Sequence, residues 1–90
     1  MAIIKFTSAL KRFYPDLDDL EVEGKNVNEV LEKIDIKYSG IKNYLLDDRG
    51  VLRKHVNIFV DGELILDREK MTDAINNKSE VFIMQALSGG

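Results

Sequence analysis

Ninety residues are enough for one small domain and not for two. A formal net charge of −3, from 13 basic and 16 acidic side chains, argues against a nucleic-acid binder, which carries a basic face. The absence of cysteine excludes disulfides, thiol redox chemistry and thiolate metal sites.

No stretch reaches the roughly 20 apolar residues of a membrane span. The opening MAIIKFTSALKRFYP has neither the apolar core nor the cleavage pattern of a secretory signal, so a cytoplasmic protein without membrane contact is expected. AIIKFT at 2–7 has period two, with Ala2, Ile4 and Phe6 on one face and Ile3, Lys5 and Thr7 on the other, and reads as a first strand. SALKRFYPDLDD reads as a loop around Pro15, and Asp16, Asp18 and Asp19 lack the spacing of a calcium loop. LEVE at 20–23 alternates again and makes a hairpin with the first strand. Asn26 is a good N-cap, Glu29 stands where a capping box needs it, and Val27, Val30, Leu31 and Ile34 form one apolar stripe. The spacing predicts a helix from there to about Tyr38, broken at Gly40, with a further short turn through Ile41, Tyr44 and Leu45.

VLRKHVNIFV at 51–60 reads as the strongest strand, with Val56, Ile58 and Val60 on one face and His55, Asn57 and Phe59 on the other. Asp61-Gly62 is a two-residue hairpin signal, and ELIL at 63–66 is the returning strand. MTDAI reads equally as helical turn or loop, and Asn76-Asn77 as a turn, because asparagine tolerates the left-handed conformation. EVFIMQAL at 80–87 is the last strand.

One amphipathic helix covers one face of a sheet, so the expected architecture is α+β. A mixed sheet of four to five strands curls around the main helix, with the first and last strands central and parallel. Residues 1–85 form the domain and 86–90 a flexible tail ending Gly-Gly. If one set of strand faces packs on the helix, Ile3, Phe59, Phe82 and Met84 are left on the other as an apolar docking patch. His55 has no nucleophile or second histidine beside it in sequence, and the dispersed glycines make no phosphate loop, so no catalytic apparatus is visible. The tail's terminal carboxylate is instead the candidate reactive group. Glycine there leaves room for a narrow channel, and five extended residues reach roughly 17 Å.

The helix NVNEVLEKI, YSGI at 38–41, HVNIFVDGE at 55–63 and EVFIMQALSGG at the end together resemble the MoaD/ThiS sulfur-carrier family. The segment from YSGI through LLDDRGVLRKHVNIFVDGE is most similar to its longer members, the small subunits of molybdopterin synthase and the carriers of a cysteine-synthesis route. The resemblance implies the ubiquitin-like β-grasp fold and a non-enzymatic carrier. An E1-like enzyme, using ATP and magnesium that this chain does not itself bind, would adenylate the carboxylate of Gly90. A sulfur donor would convert the adenylate to a thiocarboxylate, and a molybdopterin-synthase large subunit or cysteine-synthase-like enzyme would take the sulfur. Gly89 would give clearance, and Leu87 with Ile3, Phe59, Phe82 and Met84 would hold the partner. Two departures stand out. Gln85 occupies a place where family members often carry a stiffening proline, and Asn76-Asn77-Lys78-Ser79 replaces an Asp-Gly-Asp turn. A ubiquitin-like modifier conjugated through Gly90, and a plain β-grasp binding module, are the alternative readings.

Overall fold

The main helix α2, Val27–Lys37, starts where the cap chemistry puts it: Asn26 Oδ1 accepts from Glu29 N at 2.9 Å. The reciprocal bond of the capping box is displaced by one residue, Lys25 N donating to Glu29 Oε1 at 3.0 Å. This is the computed structural model of the chain, and it describes residues 1–86. Val27, Val30, Leu31 and Ile34 of α2 are buried, so its predicted stripe is the stripe that packs. Gly40, at φ 92°, turns the chain after α2 in the left-handed region that glycine enters freely. The short helix α3, Ile41–Leu45, follows at once and buries Ile41 and Leu45.

The sheet has five strands in the order β2-β1-β5-β3-β4. Strand β1, Ala2–Phe6, pairs antiparallel with β2, Leu20–Val22, and parallel with β5, Glu80–Gln85. Strand β3, Val56–Val60, pairs antiparallel with β5 and with the two-residue β4, Glu63–Leu64. The expected central parallel pair is present, and α2 lies in the connection that makes it possible. Ala2, Ile4 and Phe6 of β1, Val56 and Ile58 of β3, and Val81 and Ile83 of β5 are all buried. They form one core with α2 and α3, an α+β sheet curled on a helix. At the β3–β4 turn Asp61 (φ 51°) and Gly62 (φ 86°) both take positive φ, as the two-residue hairpin requires.

Four local expectations are corrected. Residues 8–11 are not loop: Ser8–Lys11 form a one-turn helix, α1, and it holds because Ala9 and Leu10 are buried. The strand expected over 51–60 keeps only its second half. Asp47 Oδ1 takes the Val51 amide at 3.0 Å and Leu52 N donates to Arg68 O, so this stretch is tied to neighbouring loops. The strand expected over 63–66 ends at Leu64, because Asp73 captures the amides of Leu66 and Asp67 at 2.9 and 2.8 Å. The turn at 76–79 is present, yet neither asparagine is left-handed. Asn76 closes it with its side chain, accepting from Lys78 N at 2.8 Å.

The segment around MTDAI is neither helix nor strand, and it completes the N-terminus of α2. Met71 and Asp73 carbonyls accept from Asn28 N and Val27 N, two of the amides that a helix start leaves free. To reach there the chain bends at Met71, a buried non-glycine residue at φ 54°. Asp67 holds the bend. It accepts from the amides of Lys70 (2.9 Å), Glu69 (3.1 Å) and Thr72 (3.2 Å) and from the Thr72 hydroxyl (2.6 Å). These donors, the Lys70 amide first and the Thr72 hydroxyl next, lower its pKa from 3.8 to about 2. A carboxylate depressed in the folded state stabilises fully above its ordinary value, and that contribution is lost as pH falls towards about 2. In Asp67→Asn the acid side of the stability curve is therefore expected to flatten. Urea midpoints measured from pH ~5 down to ~2 check it, and a variant that parallels wild type throughout would remove Asp67 as a cause of acid sensitivity.

Candidate functional site on the open sheet face and at the end of β5

The face of the sheet opposite α2 is built by alternation. Strand register sets Phe59 of β3 directly across from Phe82 of β5 on one side and Leu64 of β4 on the other. Directly opposed side chains in such ladders have Cβ atoms about 5 Å apart, so these three form one apolar row across three strands. Met84 lies two residues beyond Phe82 on the same face and pairs with Asn57. Phe59, Phe82 and Met84 are each part-buried, and Leu64 is 53% exposed. Three of the four expected patch residues thus come together.

Ile3 stands apart from them. It shares the face and is 40% exposed, but its partner on β5 is Glu80, and Lys5 is the residue opposite Phe82. Lys5 Nζ reaches Glu80 Oε1 at 3.6 Å, along the diagonal that crosses between Ile3 and Phe82. So exposed an ion pair contributes little to stability. Its effect here is geometric, a polar seam separating Ile3 from the aromatic row. Leu64 was missed in the sequence. The signal was available: a two-residue turn at Asp61-Gly62 fixes the register, which puts Leu64 opposite Phe59.

The other part of the expected site begins where β5 ends. Thr7 N donates to Ile83 O at 3.1 Å, Gln85 N to Thr7 Oγ1 at 3.2 Å, and Ala86 N to His55 O at 2.8 Å. The chain is thus held up to Ala86 between the end of β1 and the start of β3. His55 is exposed and lies one residue before β3, contributing its carbonyl. Leu87, Gly89 and Gly90, and the tail expected over 86–90 beyond Ala86, lie outside the described residues. Among the described residues no group of His, Asp or Glu side chains could hold a metal ion. None of their helices is long and apolar enough to cross a membrane.

The model of the ThiS family matches residues 4–90. The chain belongs to that family. Among curated proteins, small archaeal modifier protein 3 of Haloferax volcanii is 26% identical, over 89% of this chain and 82% of its own length. Sulfur carrier protein CysO of Mycobacterium tuberculosis is 30% identical, over 79% of this chain and 78% of its own length. This ThiS-family chain also resembles solved structures. A chain of the Amycolatopsis orientalis BexX/CysO complex superposes with a TM-score of 0.84 at 19% identity, covering all of both chains. Mycobacterium tuberculosis CysO does so with a TM-score of 0.82 at 24% identity, over 97% of this chain and 100% of that one. Urm1 of Sulfolobus solfataricus gives 0.69 at 19% identity, over 92% and 97%. The fold is therefore the ubiquitin-like β-grasp, and the curated relatives are named as a sulfur carrier and a small modifier.

Proposed function

We propose that this chain is a sulfur carrier whose working group is the carboxylate of Gly90. The observation that carries the reading is the reach of the family match, which runs through the Gly-Gly end to residue 90. A bare carboxylate is a poor electrophile. An E1-like partner, supplying ATP and magnesium, lets a Gly90 oxygen attack the α-phosphorus, and pyrophosphate leaves. Sulfide or an equivalent donor then attacks the carbonyl carbon, and AMP departs with that oxygen. The product is a thiocarboxylate, whose sulfur passes to a downstream synthase. The apolar row of Phe82, Phe59 and Leu64 is the surface through which the body docks, with Leu87 also holding the partner and Gly89 leaving room beside the reacting end.

The CysO relatives, named as sulfur carriers, support the carrier reading, with a cysteine-synthase-like enzyme or a molybdopterin-synthase large subunit as the acceptor. The small archaeal modifier relative favours a second reading, conjugation of the activated Gly90 to lysines of other proteins. Both share the activation step. Intact-mass measurement after incubation with an E1-like enzyme, ATP and sulfide separates them. A mass gain of one sulfur-for-oxygen exchange is the expected result. Conjugates without that exchange would establish the modifier instead, and neither product would leave only a binding module.

A further inference from the structure

The core-facing positions of β5 run Val81, Ile83, Gln85. The pattern calls for a third apolar residue at 85, and the chain supplies an amide. Gln85 Oε1 is buried and has no hydrogen-bond partner among the described residues, where it is the one side-chain atom in that condition. A buried acceptor left unpaired destabilises the conformation that buries it. On the β1 side the Gln85 backbone is held by a side chain: its amide donates to the Thr7 hydroxyl at 3.2 Å. One residue on, Ala86 N bonds His55 O, the last ladder bond among the described residues. The rung that carries an unpaired acceptor and a side-chain clasp is therefore the one next to the proposed reactive end.

We propose that Gln85 is a release point. Its stranded oxygen biases the end of β5 towards opening, so that Gln85 and Ala86 leave the sheet when a partner draws on the chain. Opening rehydrates Oε1 and breaks two bonds, those to Thr7 Oγ1 and His55 O. The two freed residues lengthen the reach of the reactive end by roughly 7 Å. A proline cannot serve in this way: it stiffens the same place and has no amide to clasp and release. An apolar residue would lock the rung shut. Gln85 is thus a positioning residue, acting through the length of chain it lends, and this role rests on the carrier reading proposed above.

Amide hydrogen exchange on the full chain tests the release point without any partner. In wild type the Gln85 and Ala86 amides are expected to exchange far faster than that of Ile83, at the centre of the same strand. In Gln85→Leu, the ratio of Ala86 to Ile83 exchange should fall about tenfold, the effect of one buried unpaired acceptor on a local opening equilibrium. Thr7→Val, which removes the hydroxyl clasp, should raise the ratio for Gln85. With an E1-like enzyme and ATP, Gln85→Leu should show a higher KM for the carrier and an unchanged kcat. The proposal is overturned if Ala86 is as protected as Ile83 in wild type, or if Gln85→Leu leaves the ratio unchanged. It is also overturned if the exchange ratio falls and KM does not move. If wild type itself is not adenylated, the carrier reading fails, and the exchange data still decide whether the strand end opens.

Discussion

A chain extended by two alanines past Gly90 is expected to accept neither AMP nor sulfur, whereas its fold and melting temperature stay unchanged. The reason is positional. Activation requires a carboxylate oxygen in line with the α-phosphorus, and alignment of that kind supplies a large part of the rate. A displacement of about 1 Å costs on the order of a hundredfold. Deleting Gly90 moves the carboxylate back by roughly 3.5 Å, which exceeds that tolerance several times over. Truncation is therefore expected to lower adenylation by more than about a hundredfold, and extension to abolish it, both read as pyrophosphate release. If strand release at Gln85 lends two residues of slack, the truncated chain regains part of its loss, and Gln85→Leu combined with the truncation removes that part. Intact mass must accompany each assay, because an extended chain that is thiocarboxylated without being trimmed would sink the assignment of Gly90.

How much of this could be read from the amino-acid order depended on whether one local signal decided the matter. Alternation in AIIKF and in VNIFV gave the faces of β1 and β3 correctly, because a buried face leaves one register open. Asn26 marked the start of α2 because its side chain alone satisfies an amide that the helix leaves free. Strand ends escaped for the opposite reason. Residues 51–55 carry strand-like side chains, yet Asp47, from a preceding loop, competes for the Val51 amide. Asp73 stops β4 in the same way from the following loop. Helix α1 is four residues long and forms because Leu10 has a core to enter, which no window of sequence contains. In the candidate site, Phe59, Phe82 and Met84 were legible from alternation, and Leu64 was legible once the hairpin register was applied. The separation of Ile3 was not. It depends on a parallel pairing between segments almost eighty residues apart, which places Lys5 and not Ile3 beside Phe82.

That separation makes the second large prediction a comparison across the Lys5–Glu80 seam. Phe82 sits on the central strand with Phe59 beside it, and the polar groups of Lys5, Glu80 and Asn57 border the row. An apolar centre with a polar rim is the arrangement in which a few side chains carry most of an interface's energy, about 2 kcal/mol or more each. Phe82→Ala and Phe59→Ala are each expected to weaken binding to an E1-like partner by about thirtyfold or more, and Leu64→Ala by less, because β4 is the edge strand and places Leu64 at the rim of the row. Ile3→Ala, across the seam, should change the Kd by less than about fivefold. Because the row is part-buried, each variant also loses some packing, so the titrations belong below a melting temperature measured for each. Equal losses from Ile3→Ala and Phe82→Ala would mean that the partner spans the ion pair. Unchanged affinity in all four would move the docking surface off this face, leaving the end of β5 as the sole point of contact.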